Sequence, residues 1–148
     1  MTKERKENFY ILLELLFGLV LIYVMIYPDQ KTKNEISSIK QTNDKIIVFT
    51  PVQNELIESP YRVMGQARGG WYFEATFPIK LLDANKKEIA ATTGQALSDW
   101  MTTEFVPFQS ELIFEKPKTD TGSVIFKKDN PSGDPKTDES IEIPVRFK

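Results

Sequence analysis

From Trp71 to Leu81 the chain alternates, and that alternation limits its possible folds more than any other feature. Trp71, Phe73, Ala75, Phe77, Ile79 and Leu81 fall on one side. Tyr72, Glu74, Thr76, Pro78 and Lys80 fall on the other. A side-chain period of two is that of a β-strand, with one face for a core and a mixed face for solvent. Burying each large apolar residue of the first set contributes about 1.5–3 kcal/mol before ordering entropy is counted. A lone strand cannot realise that energy, so a second apolar layer is required.

The same period returns downstream. Val63, Gly65 and Ala67 share a face within Tyr61–Ala67. Val106, Phe108, Leu112 and Phe114 lie opposite Gln109, Glu111 and Glu115 between Glu104 and Glu115. Ile141, Ile143, Val145 and Phe147 alternate with Glu142, Pro144, Arg146 and Lys148. Shorter strands are expected at Lys45–Phe49, closed by Pro51, at Glu88–Thr92 with Ile89 inward, and at Ser123–Lys127. Turns or loops are expected at Arg68–Gly70, Asp83–Lys87, Gly94–Asp99 and Asp129–Glu139. About seven strands with no helical pattern among them predict an all-β, immunoglobulin-like sandwich over residues 45–148. Pro78, Pro107 and Pro144 fall inside strands, and since proline cannot donate to a ladder, each is expected at an edge or bulge.

The first part of the chain reads differently. A polar head over residues 1–8 carries Lys3, Arg5 and Lys6. Residues 9–27 follow, apolar except for Glu14, and as a helix would span roughly 28 Å, close to a bilayer's hydrocarbon thickness. Tyr10, Tyr23 and Tyr27 sit near its ends, where amphipathic rings favour the interfaces. The exit at Pro28 lacks the small residues of a cleavage site, so an uncleaved signal anchor is expected. Glu14 lies near enough to one end to lean toward the interface. Gly18 has no small residue four positions away for a helix-pairing face. The basic head predicts a cytoplasmic amino terminus and an extracytoplasmic body in the cell membrane. Residues 28–44 read as a polar tether with a reach of about 20–25 Å.

Composition narrows the chemistry. The chain has 148 residues, no Cys and no His, and a net charge of −2. A disulfide framework, a zinc ribbon, a lipid-carrying Cys and histidine-based catalysis are all excluded. The charge balance points to no nucleic-acid partner. Ser37-Ser38-Ile39-Lys40 matches the Ser-x-x-Lys nucleophile pattern but lacks its partner motifs and falls in the tether. Glu74, Glu111 and Glu115 read as a solvated face, not as the paired acids of a glycosidase. Asp129 to Glu139 holds many oxygen ligands but not the spacing of a calcium loop, so no metal or cofactor is expected.

The runs SPYRVMGQARG (Ser59–Gly69), WYFEATFPIKLLD (Trp71–Asp83), WMTTEFVPF (Trp100–Phe108), KKDNPSG (Lys127–Gly133) and IEIPVRF (Ile141–Phe147) together carry a family likeness. Over Lys45–Phe147 the chain resembles the immunoglobulin-like domain of bacterial spore germination, the second of the Gmad types. The resemblance implies a small exported sandwich linked to germination or sporulation, with no catalytic residues to carry over.

The resulting expectation is a membrane-anchored binding or structural module of the bacterial envelope, not an enzyme. Its partners would be the membrane, through residues 9–27, and an extracytoplasmic protein or envelope polymer. The alternative is an inhibitor of extracytoplasmic proteases that presents the 129–139 loop. Candidate binding residues are Arg68, Tyr72, Glu74, Trp100 and Asn130. Arg68 is expected to pair with Glu74 across the turn. Trp100, Met101, Phe105 and Phe108 either fill the core or, with an outward Tyr72, form a recognition patch.

Overall fold

A computed structural model describes residues 41–148 of the chain. The expected tail, the anchor at 9–27 and the tether up to residue 40 lie outside the described residues. Among the described residues, no helix is long and apolar enough to cross a membrane.

The described body is all-β. Eight strands of three residues or more follow a two-residue pairing, β1 (Gln41–Thr42). They are β2 (Ile46–Thr50), β3 (Glu55–Ile57), β4 (Tyr61–Arg68), β5 (Thr76–Asp83), β6 (Glu88–Ala96), β7 (Phe105–Leu112), β8 (Thr121–Lys127) and β9 (Ser140–Phe147). Hydrogen bonding runs β1-β2-β4-β7-β6-β5-β8-β9-β3 in one curled sheet. The link between β6 and β7 is only two residue pairs, Gln95↔Gln109 and Ala96↔Phe108. The sheet therefore folds over there into two facing layers, an immunoglobulin-like arrangement. The chain changes layers between β2, antiparallel to β4, and β3, parallel to β9.

Aromatic rings join the layers. Phe108 of β7 meets Phe77 of β5 edge-on at 4.9 Å and Phe126 of β8 at 6.1 Å. Trp71 and Tyr72 pack edge-on against Phe77 at 6.4 and 5.3 Å. Such pairs add to the burial of the rings themselves. Strand glycines make the room. A Cβ on Gly94 would sit 2.5 Å from the Phe77 ring, and one on Gly65 would sit 2.6 Å from Phe108.

The alternation in β4, β7 and β9 is as expected: Val63, Gly65, Ala67, Val106, Phe108, Leu112, Ile143, Val145 and Phe147 are buried. The segment before Phe77 is not. It breaks into a 3-10 turn at Gly69–Trp71 and a tight hairpin in which Phe73 and Thr76 exchange backbone hydrogen bonds of 2.9 and 3.1 Å. Glu74 and Ala75 at its tip have φ of 50° and 65°. That is the two-residue turn usually built from Asn-Gly. Because the regular strand starts only at Thr76, the facing inverts: Tyr72 is buried and Phe73 is 42% exposed.

Three further expectations are corrected. β6 continues through Gly94 to Ala96, because Gly94 is the site of close approach to Phe77 and not a turn. β5 reaches Asp83, whose buried carboxylate accepts from the backbone N–H groups of Asn85 and Lys87. The end of the expected tether is part of the body, since Gln41 and Thr42 pair with Val48 and Ile47.

Each strand proline lies one residue outside the ladder on one side. β8 pairs with β5 only from Ile79 onward, β6 with β7 only from Phe108, and β3 with β9 only from Val145. The expected edge is thus local, a ladder end beside Pro78, Pro107 and Pro144 within strands otherwise paired on both sides.

The inverted facing is tested by two truncations. Phe77→Ala should cost about 3–5 kcal/mol in urea unfolding, while Phe73→Ala should stay within about 0.5 kcal/mol. Equal losses would contradict the hairpin.

Candidate functional site

Four loop segments meet at the end of the body where β4 finishes and β7 begins. They are the Asn43–Lys45 turn, residues 68–75, residues 97–104 and residues 128–139. The 68–75 and 97–104 segments are locked together. The Gly69 N–H donates to Glu104 O at 3.2 Å, and a Cβ on Gly69 would fall 1.9 Å from Thr102 O. The Tyr72 hydroxyl donates to Val106 O at 2.7 Å, and burial keeps the phenol protonated far above its usual range.

Between these segments lies a cleft of about 580 Å³, lined by Asp44, Lys45, Arg68, Trp71, Lys128 and Glu139 among others. Arg68 donates through Nε to Asp44 O at 3.3 Å and through Nη1 to Thr103 O at 3.1 Å. Its guanidinium lies 4.2 Å from the centre of the Phe105 ring, a cation–π contact. Its acidic neighbour is Glu104 at 3.9 Å, which corrects the expected pairing with Glu74. Glu74 sits instead at the exposed hairpin tip.

Glu139 clasps the cleft, 2.6 Å from Lys45 Nζ and 3.6 Å from Lys128 Nζ. The Lys45 hydrogen bond, and then the two positive charges, hold its carboxyl below the usual carboxylate range. Asp138 is likewise held down, first by a hydrogen bond from Asn130 and then by Lys127. The indole N–H of Trp71 is buried with no hydrogen-bond partner among the described residues.

The proposed binding residues divide. Arg68 lines the cleft, and the Trp100 loop forms its neighbouring wall through Thr102 and Thr103. Trp100 is half-buried against the core, while Met101 beside it is 77% exposed. Phe108 is wholly core, and Tyr72 faces inward. Asn130 organises its own loop. Its Nδ2 donates to Asp134 O and Asp138 Oδ1, both at 2.8 Å, and its Oδ1 accepts from Ser132 Oγ at 2.6 Å. The loop closes through Gly133 at φ 67° and a 3-10 turn at Pro135–Thr137.

Among the described residues, no three His, Cys, Asp or Glu side chains converge to hold a metal. Glu74 is on the hairpin at the cleft end, while Glu111 lies near the far end of β7, opposite Arg62. The Ser37–Lys40 motif lies outside the described residues. The clasp of Lys45, Lys128 and Glu139 leaves no mark in the sequence because its residues meet only through the fold. Lys45 and Glu139 are 94 residues apart, and no local pattern links them.

A family model described as the immunoglobulin-like domain of bacterial spore germination matches residues 45–134. The chain belongs to that family. No curated protein and no solved structure matches it.

The clasp has a defined pH sign. Glu139 is lowered in the folded state, so its contribution is complete above the ordinary carboxylate range and fades as pH falls through it. Glu139→Gln should therefore lower the melting temperature at neutral pH, with the gap to the parent narrowing below about pH 4. A gap that is constant from pH 7 to pH 3 would show that Glu139 is not held as a carboxylate.

Proposed function

We propose that the chain is a membrane-anchored, extracytoplasmic binding or structural module of the bacterial envelope, acting in germination or sporulation. The observation that carries this reading is the family match over residues 45–134, the greater part of the described body. The apolar run at residues 9–27, preceded by Lys3, Arg5 and Lys6, supports an anchor with the body outside. The absence of Cys suits a domain that holds its layers by ring packing in any redox setting.

Binding is favoured over catalysis by the chemistry at the cleft end. The chain has no His or Cys to act as base or nucleophile near neutral pH. The cleft's principal carboxylate, Glu139, is engaged by two lysines and lowered, the opposite of a proton-donating acid. Rigid loops gathered at one end of a sandwich are the arrangement through which such domains contact partners.

The full chain with a carboxyl-terminal tag, expressed in a bacterial host, tests the location. The tag should stay with membranes through high salt and alkaline carbonate, leave with detergent, and be removed by protease added to intact spheroplasts. A tag in the soluble fraction, or one protected in intact spheroplasts, would contradict the reading.

A further inference from the structure

Charge is segregated around the cleft end. Residues 69–79 and 89–110 contain no Lys or Arg, yet hold Glu74, Asp99 and Glu104. These stretches supply the hairpin before β5, the β6–β7 loop, and the adjoining strand ends. Among the described residues, neither Glu74 nor Asp99 has a cation within ion-pairing distance, and Glu104 has only Arg68 at 3.9 Å.

On the same acidic side, large apolar residues face water: Phe73 at 42%, Leu97 at 53% and Met101 at 77% exposed. They sit on braced backbone. The Leu97 N–H donates to Pro107 O at 2.9 Å, the Met101 N–H to Asp99 Oδ1 at 3.0 Å, and the Thr102 N–H to Trp100 O at 2.8 Å. The hairpin is tied to β6 by the Ala96 N–H bond to Ala75 O at 2.8 Å. Glu74 and Ala75 hold left-handed conformations that cost free energy for residues with a Cβ. Apolar side chains held out on braced backbone at one end of the body offer a preorganised contact surface, and exposed Met suits an adaptable one.

We infer that the loops at 72–76 and 97–104 form a docking surface for a protein segment that carries large apolar residues flanked by Lys or Arg. This deepens the binding reading proposed above by naming the partner's chemistry. The apolar residues supply the contact area and the acidic rim selects the sign. The same rim repels an anionic lipid surface, which would otherwise attract exposed loop hydrophobics.

The probes are three synthetic peptides of equal length: alternating Leu and Lys, Leu and Glu, and Ser and Lys. The full chain is held in phosphatidylcholine nanodiscs, or in buffer if it remains in the aqueous fraction, and the half-exposed Trp100 reports by fluorescence. Failure of the anchor and failure of docking are thus separate results. The Leu/Lys peptide should bind, and the other two should bind at least about tenfold more weakly. Met101→Asp keeps the surface acidic but removes its apolar tip, and should weaken Leu/Lys binding about tenfold or more. Asp99→Lys should weaken it too. Ile113→Asp, an exposed apolar residue beyond the far end of β7, should leave it within about twofold. Binding unchanged in Met101→Asp, equal binding of Leu/Glu, or no binding of Leu/Lys would overturn the inference. A Trp100 response to neutral vesicles alone that Met101→Asp abolishes would overturn it in favour of a membrane contact.

Discussion

The fit of aromatic rings from one layer against glycines of the neighbouring strands holds this domain together. Immunoglobulin-like sandwiches often pin their layers with a disulfide, and this chain has no Cys. Phe77 and Phe108 do that work by reaching across the core to each other, with Phe126 continuing the contact. Each ring lies flush with a strand because the residue beside it has no side chain. Gly94 accommodates Phe77, Gly65 accommodates Phe108, and Gly122 does the same for Phe147. Interiors pack at crystal-like density, so these glycines are as much a part of the core as the rings.

That packing also positions the loops. Phe77 is the second residue of β5, and Tyr72 and Trp71 pack against it from the segment just before. The Tyr72 hydroxyl then fastens the segment to β7 at Val106. Gly69 lets the 97–104 loop approach the 68–75 turn. The hairpin tip, the Trp100–Met101 loop and the Arg68 cleft are therefore extensions of the core's geometry. The core thereby fixes where these loops lie.

How much could be read from the residues depended on the range of the interaction. β4, β7 and β9 were legible because each buries one face, and a period of two follows directly. The stretch from Trp71 to Ala75 was illegible because it mimics that period while turning. Its two-residue turn uses Glu-Ala where Asn-Gly or Asp-Gly would have announced it. The three residues of β3 were too short to show a pattern. β6 was cut short at Gly94 because a strand glycine that yields to a ring looks, in one dimension, like a turn. For the site, the sequence offers Arg68 and Trp100 only as separate candidates, and it is the fold that brings Arg68 and the Trp100 loop to one end. The Glu139 clasp is not legible, since it depends on the residues just before β2 and just before β9, strands that are not neighbours in the sheet, meeting at one end of the body. Arg68 chose Glu104 over Glu74 because the hairpin carries Glu74 away from it.

The ring-against-glycine fit makes a quantitative demand that ordinary core packing does not. A double-mutant cycle of Gly94→Ala and Phe77→Leu, read by urea unfolding, measures it most directly. Gly94→Ala alone should cost about 1–3 kcal/mol by overpacking. In the Phe77→Leu background, where the ring edge is gone, most of that cost should vanish, giving a coupling of at least about 1 kcal/mol. Additive losses would mean that Gly94 and Phe77 do not share the space, and would contradict the account of how the ring that reaches across the core is seated.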